Sequence, residues 1–470
     1  MWVFRIKHRS DGTIERYKAR LVVFGNHQQE GIDFVETFAP TVKMVTVRTF
    51  LTVAAIRKWE LHHMDVHNAF LHGDVAEEVY MCLPPGFSNG FTGKVCRLGK
   101  SLYGLRQAPR CWYAKLATAL RTYGFSASSA DHSLFVYRKH DIVLNILVYV
   151  DDLVIAGNNG AAIADFKAYL SDCFHMKDLG KLKYFLGLEV ARNSSGIFLC
   201  QRKYALDILT ETGLLGSKPA SVPMEENHRL GLASDPLMPD PARYRRLVGR
   251  LIYLTNTRPE LCYSVHILAQ FMQRPTQSQW DAALRVVRYL KSSPGQGILL
   301  RADSSLALDA YCDANWGSCP ISRCSLTAYF VFLGGSPISW KTKKQATVSR
   351  SSAEAEYRAM ASSTCEIRWL KGLLRSFGVP QTEPVPLHSD SQAALHIANN
   401  PVFHERTKHI EIDCHFVRDE ILRGTVAPSY VHTTSQVADI LTKALGRQQF
   451  QSLLVKLGIS NLHALSLIHI

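Results

Sequence analysis

The chain has 470 residues, of which 47% are hydrophobic and 20% charged, a balance that supports roughly two to four domains and excludes an extended disordered chain. Its net charge of +14 favours a polyanionic partner such as nucleic acid, although a basic enzyme with a solvated surface has the same balance. Eleven cysteines without a Cys-x-x-Cys pair exclude a disulfide framework and a zinc ribbon, and they indicate a reducing intracellular compartment, the cytoplasm. The sequence has no signal-peptide pattern and no apolar run of the roughly 18–20 residues that span a membrane, so we expect no membrane partner.

Short strand patterns and helical patterns alternate through the first half of the chain. The turn signal Ser10-Asp11-Gly12 predicts an antiparallel hairpin between the two runs that flank it. Hydrophobic spacing then predicts a helix over 45–58, a strand over 61–66 that leads into a helix, a helix over 110–122, and strands over 133–137 and 142–155.

The second half begins with a helix-rich region and then returns to the mixed pattern. Residues 200–300 contain helical patterns that are interrupted by a loop rich in Pro, Asp and Ser at 218–241. Farther along, strands are predicted over 308–316, 326–335, 336–345 and 384–390, with a long helix over 352–377.

Two adjacent carboxylates lie inside the apolar run NILVYVDDLVIAG (145–157), which predicts a strand, a tight turn and a second strand. Burial of an unpaired carboxylate costs on the order of several kcal/mol, and Asp151 and Asp152 also repel each other. Either they serve only as turn residues, or a bound divalent cation neutralises them. A third acid, Asp65, ends a short apolar strand and is the N-cap of the next helix, a partner of this pair, or both.

Further acids follow strands or lie in a helix toward the other end of the chain. Asp313 stands at the end of one predicted strand, and Asp390 follows another. Glu354 and Glu356 lie two residues apart in the long helix, and Asp439 lies in the run SQVADILTKAL. Spacing alone leaves each of them open as a helix cap, a surface acid or a metal ligand.

Four stretches give the chain a resemblance to a known family: MDVHNAFLHGDVAEEVYMCLPPGF (64–87), KSLYGLRQAPRCWYAKL (100–116), LVYVDDLVIAG (147–157) and FHMKDLGKLKYFLGLEV (174–190). In order, spacing and residue identity they resemble the reverse transcriptase of Ty1/copia-type retrotransposons. The resemblance implies an α+β fold with the fingers and palm of a right-hand polymerase. It also implies that Asp65, Asp151 and Asp152 hold two Mg2+ ions, with Mn2+ as the alternative ion, for nucleotide addition.

The resemblance also places nucleotide-binding roles on single residues. Phe70 would lie beneath the sugar of the incoming nucleotide and exclude a 2′-hydroxyl, although a core Phe of an amphipathic helix has the same pattern. Lys18 and Arg20 would grip the triphosphate, although their strand also suits a solvated face. Tyr103 and Gly104 would back the nucleotide, because a glycine allows close backbone approach.

By the same resemblance, the run YFLGLEV (184–190) is the hairpin that supports the primer end. The residues expected to do so are Tyr184, Phe185, Leu186 and Gly187.

The second group of acids resembles the ribonuclease H domain of the same elements, in which four acids bind two metal ions. The resemblance carries this role to Asp313, Glu356, Asp390 and Asp439. Glu356 is preferred to Glu354 because the family's Glu-apolar-x-Ala pattern fits EYRA, and alternate residues of a helix do not share a face.

A cluster formed by His404, His409, Cys414 and His415 raises the alternative of a zinc site. Its spacing matches no common structural zinc site. The resembling family carries a similar run as part of its nuclease, so we expect no zinc.

We therefore expect reverse transcriptase fingers and palm over 1–199 with the fingers truncated, a helix-rich thumb or connection over 200–304, an α/β ribonuclease H-like domain over 305–446 and a tail over 447–470. The expected function is that of an RNA-directed DNA polymerase with ribonuclease H activity. Its expected partners are an RNA template, a DNA primer, RNA–DNA hybrid, deoxynucleoside triphosphates and other retrotransposon products. The chain resembles a polyprotein fragment, so the alternative is a catalytically silent nucleic-acid-binding remnant, and the seven intact acids favour the enzyme.

Overall fold

Residues 1–9, 11–87, 93–232, 235–400 and 410–461 are described by a computed structural model. Their contacts separate two units. The first unit contains Met1–Lys43 and Trp59–Leu182, and the second contains Met44–Lys58 and the chain from Lys183 onward. Helix α1 (Met44–Ile56) therefore belongs to the second unit, although residues of the first unit precede and follow it in the sequence.

The first unit is built on a six-stranded sheet with the order β10-β3-β9-β8-β7-β6. Its strands are β3 (Glu60–Val66), β6 (Ser126–Ala127), β7 (Leu134–Lys139), β8 (Ile142–Tyr149), β9 (Asp152–Gly157) and β10 (Met176–Lys181), all antiparallel to their neighbours. Separate hairpins are formed by β1 (Trp2–His8) with β2 (Ile14–Leu21), and by β4 (Tyr80–Cys82) with β5 (Val95–Arg97). The helices of this unit are α2 (Ala108–Tyr123) and α3 (Gly160–Cys173).

The core of the first unit lies between one face of this sheet and its two helices. Alternate residues of β8, among them Leu144 and Ile146, point to this core because successive side chains of a strand face opposite sides. Helix α2 adds Trp112 and Leu116 to the core. It ends at Gly124, whose φ of 114° is the left-handed geometry common after a helix.

The second unit contains two five-stranded sheets. One has the order β11-β12-β13-β14-β20, with strands β11 (Tyr184–Phe185), β12 (Leu188–Asn193), β13 (Gly196–Cys200), β14 (Gln296–Arg301) and β20 (Ile459–Asn461). The other has the order β17-β16-β15-β18-β19, with strands β15 (Leu308–Asn315), β16 (Leu326–Leu333), β17 (Ser336–Lys344), β18 (Val385–Ser389) and β19 (Val426–Tyr430). In this second sheet β15, β18 and β19 are parallel, and β15, β16 and β17 are antiparallel.

Eight helices of the second unit follow α1 in the described chain. They are α4 (Arg202–Glu211), α5 (Pro241–Leu254), α6 (Cys262–Ala269), α7 (Gln277–Ser292), α8 (Ser352–Ser376), α9 (Gln392–Asn399), α10 (Glu411–Leu422) and α11 (Arg447–Lys456). None of the helices in the described ranges has the length and apolar character that a membrane span requires.

Helix α1 is buried along most of its length and packs against β13, β14 and β17. Its one cation, Arg48, is 4% exposed, so its charge needs partners inside the unit. The Arg48 guanidinium donates to the Ile338 carbonyl at 2.7 Å and to the Asn256 carbonyl at 3.0 Å. It also lies 3.8 Å from the centre of the Trp340 ring. These contacts fix α1 within the second unit.

Most predicted elements near the acids are confirmed, namely the hairpin of β1 and β2, the strands β3, β7, β8, β9, β15, β16, β17 and β18, and the helices α1, α2 and α8. The helix predicted after Asp65 is instead a short 3-10 helix, Ala69–His72. The predicted helix-rich region also contains a strand, β14, and strands β10 and β19 were not predicted. A mixed fold of helices and sheets is present in both units, while the predicted domain limits stay predictions.

Candidate active sites

The first site forms where β3 and the β8–β9 hairpin lie side by side. Asp65 and Asp152 are direct partners across β3 and β9. Asp151 lies in the turn before β9, and its carbonyl accepts a hydrogen bond from the Val66 amide at 2.8 Å. Asp65 does not cap the next helix, because Asn68 holds that position. The structure therefore brings the three predicted acids together, two on neighbouring strands and Asp151 in the turn that precedes β9.

The turn that presents these acids has an unfavourable backbone. Val150 has a φ of 54°, which is rare for a β-branched residue because its side chain crowds the backbone there. The Trp112 indole on α2 donates to the Val150 carbonyl at 2.6 Å and holds the turn from the helix side. Backbone strain of this kind occurs mainly at functional sites.

The three carboxylates have like charges and therefore repel one another. Burial raises the pKa of the Asp151 carboxyl, and the neighbouring Asp152 and Asp65 raise it further. Asp152 has a nearby partner in His63, whose Nε2 lies 3.0 Å from Asp152 Oδ1. A set of carboxylate oxygens with excess negative charge is what Mg2+ and Mn2+ prefer as ligands, so the residues present fit a divalent cation.

Four of the predicted nucleotide-binding residues lie close to these acids or to one another. The Arg20 guanidinium is 5.3 Å from the centre of the Tyr103 ring, and the Phe70 and Tyr103 rings are 5.2 Å apart, edge to face. Burial and Arg20 lower the pKa of Lys18, whereas Asp65 raises it, so Lys18 is within electrostatic reach of Asp65. The fifth predicted residue, Gly104, adjoins Tyr103.

Two backbone segments, the chain after β2 and the loop before α2, pack closely against each other at Gly25 and Gly104. Gly104 has a φ of 99°, and a Cβ atom there would overlap the Val23 carbonyl oxygen. A Cβ atom on Gly25 would overlap the Gly104 carbonyl oxygen in the same way. The Val23 amide donates to the Tyr103 carbonyl at 2.8 Å. This contact ties the Tyr103 loop to the strand that carries Lys18 and Arg20.

The predicted primer support is a tight turn in the second unit. Leu186 and Gly187 connect β11 to β12, and both have positive φ values, 48° and 70°, as a two-residue hairpin turn requires. The Tyr253 hydroxyl donates to the Leu186 carbonyl. Phe185 is buried, whereas Tyr184 is exposed.

The second site is a buried cluster of acids on the β15–β18 sheet and helix α8. Ligand atoms of Asp313, Glu356 and Asp390 all lie within 4.8 Å of one another. Burial raises the pKa of Glu356 to about 9, with Asp313 and Asp390 adding to the shift, and burial raises the pKa of Asp313 to about 7. Glu356 Oε2 is buried without a hydrogen-bond partner among the described residues. A carboxylate oxygen left in this state fits a cation ligand.

Asp439, the fourth predicted acid, lies beside the other three. Its side chain is 2% exposed and pairs with the Lys443 ammonium at 2.6 Å. Lys443 is also 3.8 Å from Asp313 Oδ2, and the Thr442 hydroxyl donates to the same carboxylate. The Thr433 hydroxyl donates to Asp390 Oδ2 at 2.9 Å.

Glu354 and Glu356 have different surroundings, as expected of alternate helix residues. Glu354 accepts from the Arg350 amide at 2.6 Å and from Arg358 at 2.9 Å, while its own amide donates to Ser351 at 3.2 Å. These are the contacts of a helix cap. Glu356 faces Asp313 and Asp390 instead, which supports the preference for Glu356.

The zinc alternative involves residues that are only partly described. His404 and His409 lie outside the described residues. Cys414 is buried in α10, and the side chain of its neighbour His415 lies 3.9 Å from Glu411.

Sequence reasoning missed several residues that contact the acids or the turn that carries them. Lys443 follows Asp439 by four positions, a spacing that places two side chains on one helix face, so its pairing could have been inferred. His63 precedes Asp65 by two residues and therefore shares a strand face with it. The contact between Trp112 and Val150 had no signal, because it depends on how α2 packs on the sheet.

Comparison with known proteins identifies the family of this chain. A family model described as "Reverse transcriptase (RNA-dependent DNA polymerase)" matches residues 1–226. A retrovirus-related Pol polyprotein from transposon RE2 of Arabidopsis thaliana is 44% identical over 97% of this chain and 32% of that polyprotein. A putative transposon Ty5-1 protein of Saccharomyces cerevisiae is 33% identical over 65% of this chain and 100% of that protein. The N-terminal RNase H domain of a Mycobacterium tuberculosis protein, solved as a fusion, covers 31% of this chain and 96% of that chain at 12% identity, but its TM-score of 0.21 supports no argument.

The family model and the relatives agree on a class, the retrotransposon Pol polyproteins with a reverse transcriptase region. The chain belongs to the Ty1/copia-type family of these polyproteins. It spans about a third of the length of the Arabidopsis polyprotein.

Proposed function

We propose that this chain is an RNA-directed DNA polymerase with a ribonuclease H activity, and that each activity has its own two-metal site. The observation that carries the proposal is that Asp65 and Asp152 lie on adjacent strands of the first unit, with Asp151 in the turn between β8 and β9. The family membership supports the polymerase role, and the buried acids of the second unit support the nuclease role. On this proposal the first unit supplies fingers and palm.

The acids of each site would hold two Mg2+ or Mn2+ ions. When bound, such ions neutralise charge on the reacting phosphate and orient the attacking and leaving oxygens. Asp65, Asp151 and Asp152 would hold them in the polymerase site. In the nuclease site the ligands would be Asp313, Glu356, Asp390 and Asp439.

The chain's own residues would orient the incoming deoxynucleoside triphosphate. Lys18 and Arg20 carry positive charge on β2 and would bind the phosphates, for which a guanidinium is well suited. Tyr103 and Phe70 meet edge to face and would form the wall against which the sugar packs. Because Gly25 and Gly104 have no side chains, the Tyr103 loop can pack directly against the chain that follows β2.

The proposed substrates follow from these sites and from the chain's net charge of +14. Basic residues bind nucleic acid mainly through its phosphates, whatever the base sequence. The polymerase site would take an RNA template with a DNA primer, whose end the Tyr184–Gly187 turn would support. The nuclease site would take the RNA strand of the resulting hybrid.

The test is to inactivate the two sites separately. With purified protein and Mg2+, we expect Asp152→Asn to abolish extension of an oligo-dT primer on poly-A and to leave hydrolysis of hybrid RNA intact. Asp390→Asn should do the reverse, because each Asn keeps the side chain's shape and removes the charge that binds a cation. Sites without shared partners are expected to fail independently.

Control variants remove a carboxylate that lies outside both sites. Asp178→Asn on β10 weakens a partly exposed ion pair with Lys167, and Asp303→Asn weakens an exposed ion pair with Arg301. Both should retain both activities. A folded Asp390→Asn protein that lost both activities would contradict the two-site proposal. A wild-type protein that binds hybrid without either activity would favour the nucleic-acid-binding remnant.

A further inference from the structure

Lys443 is placed between two of the acids of the second site. Its ammonium lies 2.6 Å from Asp439 Oδ1 and 3.8 Å from Asp313 Oδ2. The position is set locally, because the Lys443 amide donates to the Asp439 carbonyl at 3.0 Å and so brings residues 439 and 443 onto one face.

The acids need this positive charge when no cation is bound. The side chains of Asp313 and Asp439 are each 2% exposed, so water solvates them little, and unpaired buried charges are strongly unfavourable. Within the described ranges, Lys443 is the basic side chain that forms ion pairs with these four acids. It therefore occupies the electrostatic role that a bound divalent cation would have.

The lysine has room to leave this position. One third of its side chain is exposed, and it also lines a cavity of about 350 Å3. The described residues that line this cavity include no Asp or Glu. The ammonium can therefore move from the acids to water without displacing a core side chain, and no carboxylate there would hold it.

We propose that Lys443 is a positioning residue that neutralises Asp313 and Asp439 in the metal-free protein and is displaced when divalent cations bind. The inference rests on the proposed nuclease site, which it deepens by adding a residue that sets the affinity for the cations. The proposed role of Lys443 has opposite effects on the stability of the metal-free protein and on its affinity for cations. Lys443 stabilises the metal-free acid cluster, and it weakens cation binding because like charges repel at this distance.

The first experiment measures Mn2+ binding rather than activity. Calorimetry is done on Lys443→Gln in an Asp151→Asn background, so that the polymerase site contributes less. We expect the dissociation constant for Mn2+ at the nuclease site to fall at least about tenfold. The melting temperature of the Mn2+-free variant should fall, and saturating Mn2+ should restore most of the loss.

The matched control is Lys371→Gln in the same unit. Lys371 donates to the Glu383 and Gly424 carbonyls, each at 3.2 Å, and has no contact with the four acids. This variant should lose stability with and without Mn2+ and should bind Mn2+ as the background protein does. Unchanged or weaker Mn2+ binding by Lys443→Gln would overturn the inference.

A further variant separates this failure from failure of the proposed site. Asp390→Asn in the same background should remove the Mn2+ binding that is assigned to the nuclease acids. If it removed none, the site itself would be wrong, whatever Lys443 does.

The second experiment uses the wild-type chain and does not depend on how Lys443→Gln folds. Lysines are acylated with acetic anhydride with and without Mn2+, and the modified residues are quantified by mass spectrometry. Acylation of Lys443 should rise severalfold with Mn2+, because an ammonium held by two carboxylates reacts slowly. Lys371 should not change. An unchanged Lys443 signal in protein that binds Mn2+ would show that no displacement occurs.

Discussion

At the scale of single residues, Glu356 makes the metal-free protein sensitive to pH. Burial and the neighbouring acids raise its pKa from 4.5 to about 9. The folded state therefore holds a proton that the unfolded state has lost, and the free energy of unfolding falls as pH rises between these two values. In EDTA, Glu356→Gln should flatten this fall by up to about 1.4 kcal/mol per pH unit. Urea unfolding from pH 5 to pH 9 measures the slope.

Glu354→Gln is the control for this prediction. It has the same change of charge two residues away, but it weakens the contacts of Glu354 with Arg350 and Arg358. We expect it to lower stability at all pH values and to keep the wild-type slope. If Glu354→Gln flattened the slope and Glu356→Gln did not, the assignment of the two glutamates would be reversed.

Phe70 carries a prediction about sugar selection. If its ring lies under the sugar, Phe70→Val should leave space for a 2′-hydroxyl and raise ribonucleotide incorporation relative to deoxynucleotide by roughly tenfold or more. Single-nucleotide extension with each substrate measures the ratio. An unchanged ratio in active enzyme would make Phe70 a packing residue that contacts the Tyr103 ring and the neighbouring core side chains.

The acids themselves could be found from the sequence, and the spacing of Lys443 from Asp439 also allows their pairing to be inferred, but partners that are far away in the sequence could not be found. Asp151 and Asp152 stand out because two carboxylates interrupt an apolar run, and the resemblance to a family gave the others their roles. Thr442 and Asp313 are 129 positions apart, and their hydrogen bond exists only after β15 and the 3-10 helix Val437–Leu441 have packed together. The periodicity and composition of a segment predict its local structure. They do not predict which residue will contact it from a distant part of the sequence.

At the scale of elements, the β8–β9 hairpin depends on a helix that is distant in the sequence. Trp112→Phe keeps most of the ring but removes the donor to the Val150 carbonyl. The Val150 carbonyl is half-buried, so leaving it without its partner costs up to roughly 1–3 kcal/mol. We expect the first unit to lose about that much stability and DNA synthesis to fall, while hydrolysis of hybrid RNA is unchanged. Denaturant unfolding and the two activity assays test this, and an unaffected polymerase would show that the hydrogen bond does not support the turn.

The sequence predicted elements best where long apolar runs or helical spacing mark segments that bury many side chains. The long helix α8 and the strand–turn–strand of β8 and β9 were predicted within a few residues. Strand β10 was missed because MKDLGK is mostly exposed, so it has no apolar alternation. Its place in the sheet comes from backbone pairing with β3, which any sequence can form.

At the scale of the whole molecule, the sequence predicted helix α1 but not the unit that contains it. Ten consecutive residues, Thr46 to Ala55, are buried. The helix therefore has no polar, exposed face from which its orientation in the protein could be predicted. A helix that is mostly apolar all round is expected to lie in a core, but its residue pattern does not indicate which core. Arg48 donates hydrogen bonds to the Ile338 and Asn256 carbonyls. These partners are far from α1 in the sequence, and they attach the helix to the second unit.

Because α1 belongs to the second unit, a fragment of this unit should be stable only when it includes α1. A fragment that starts at Lys183 lacks α1 and exposes the surfaces of β13, β14 and β17 that it covers. It should be much less stable than the same fragment with residues 44–58 fused through a flexible linker, because loss of a buried helix removes many apolar contacts. Gel filtration and urea unfolding compare the two, with a scrambled 44–58 sequence as the control. Equal stability of all three fragments would contradict the assignment of α1.

The same helix makes the order of synthesis matter to the living cell. A ribosome releases residues 44–58 well before it has made the strands that will cover them, since residues 59–182 must be translated first. During that interval an apolar segment has no permanent partner, and exposed apolar segments are prone to aggregation. Slow translation of the first unit would lengthen this exposure, and a chaperone that binds apolar helices would shorten it. The yield of folded protein should therefore change with translation speed and rise with chaperone supply.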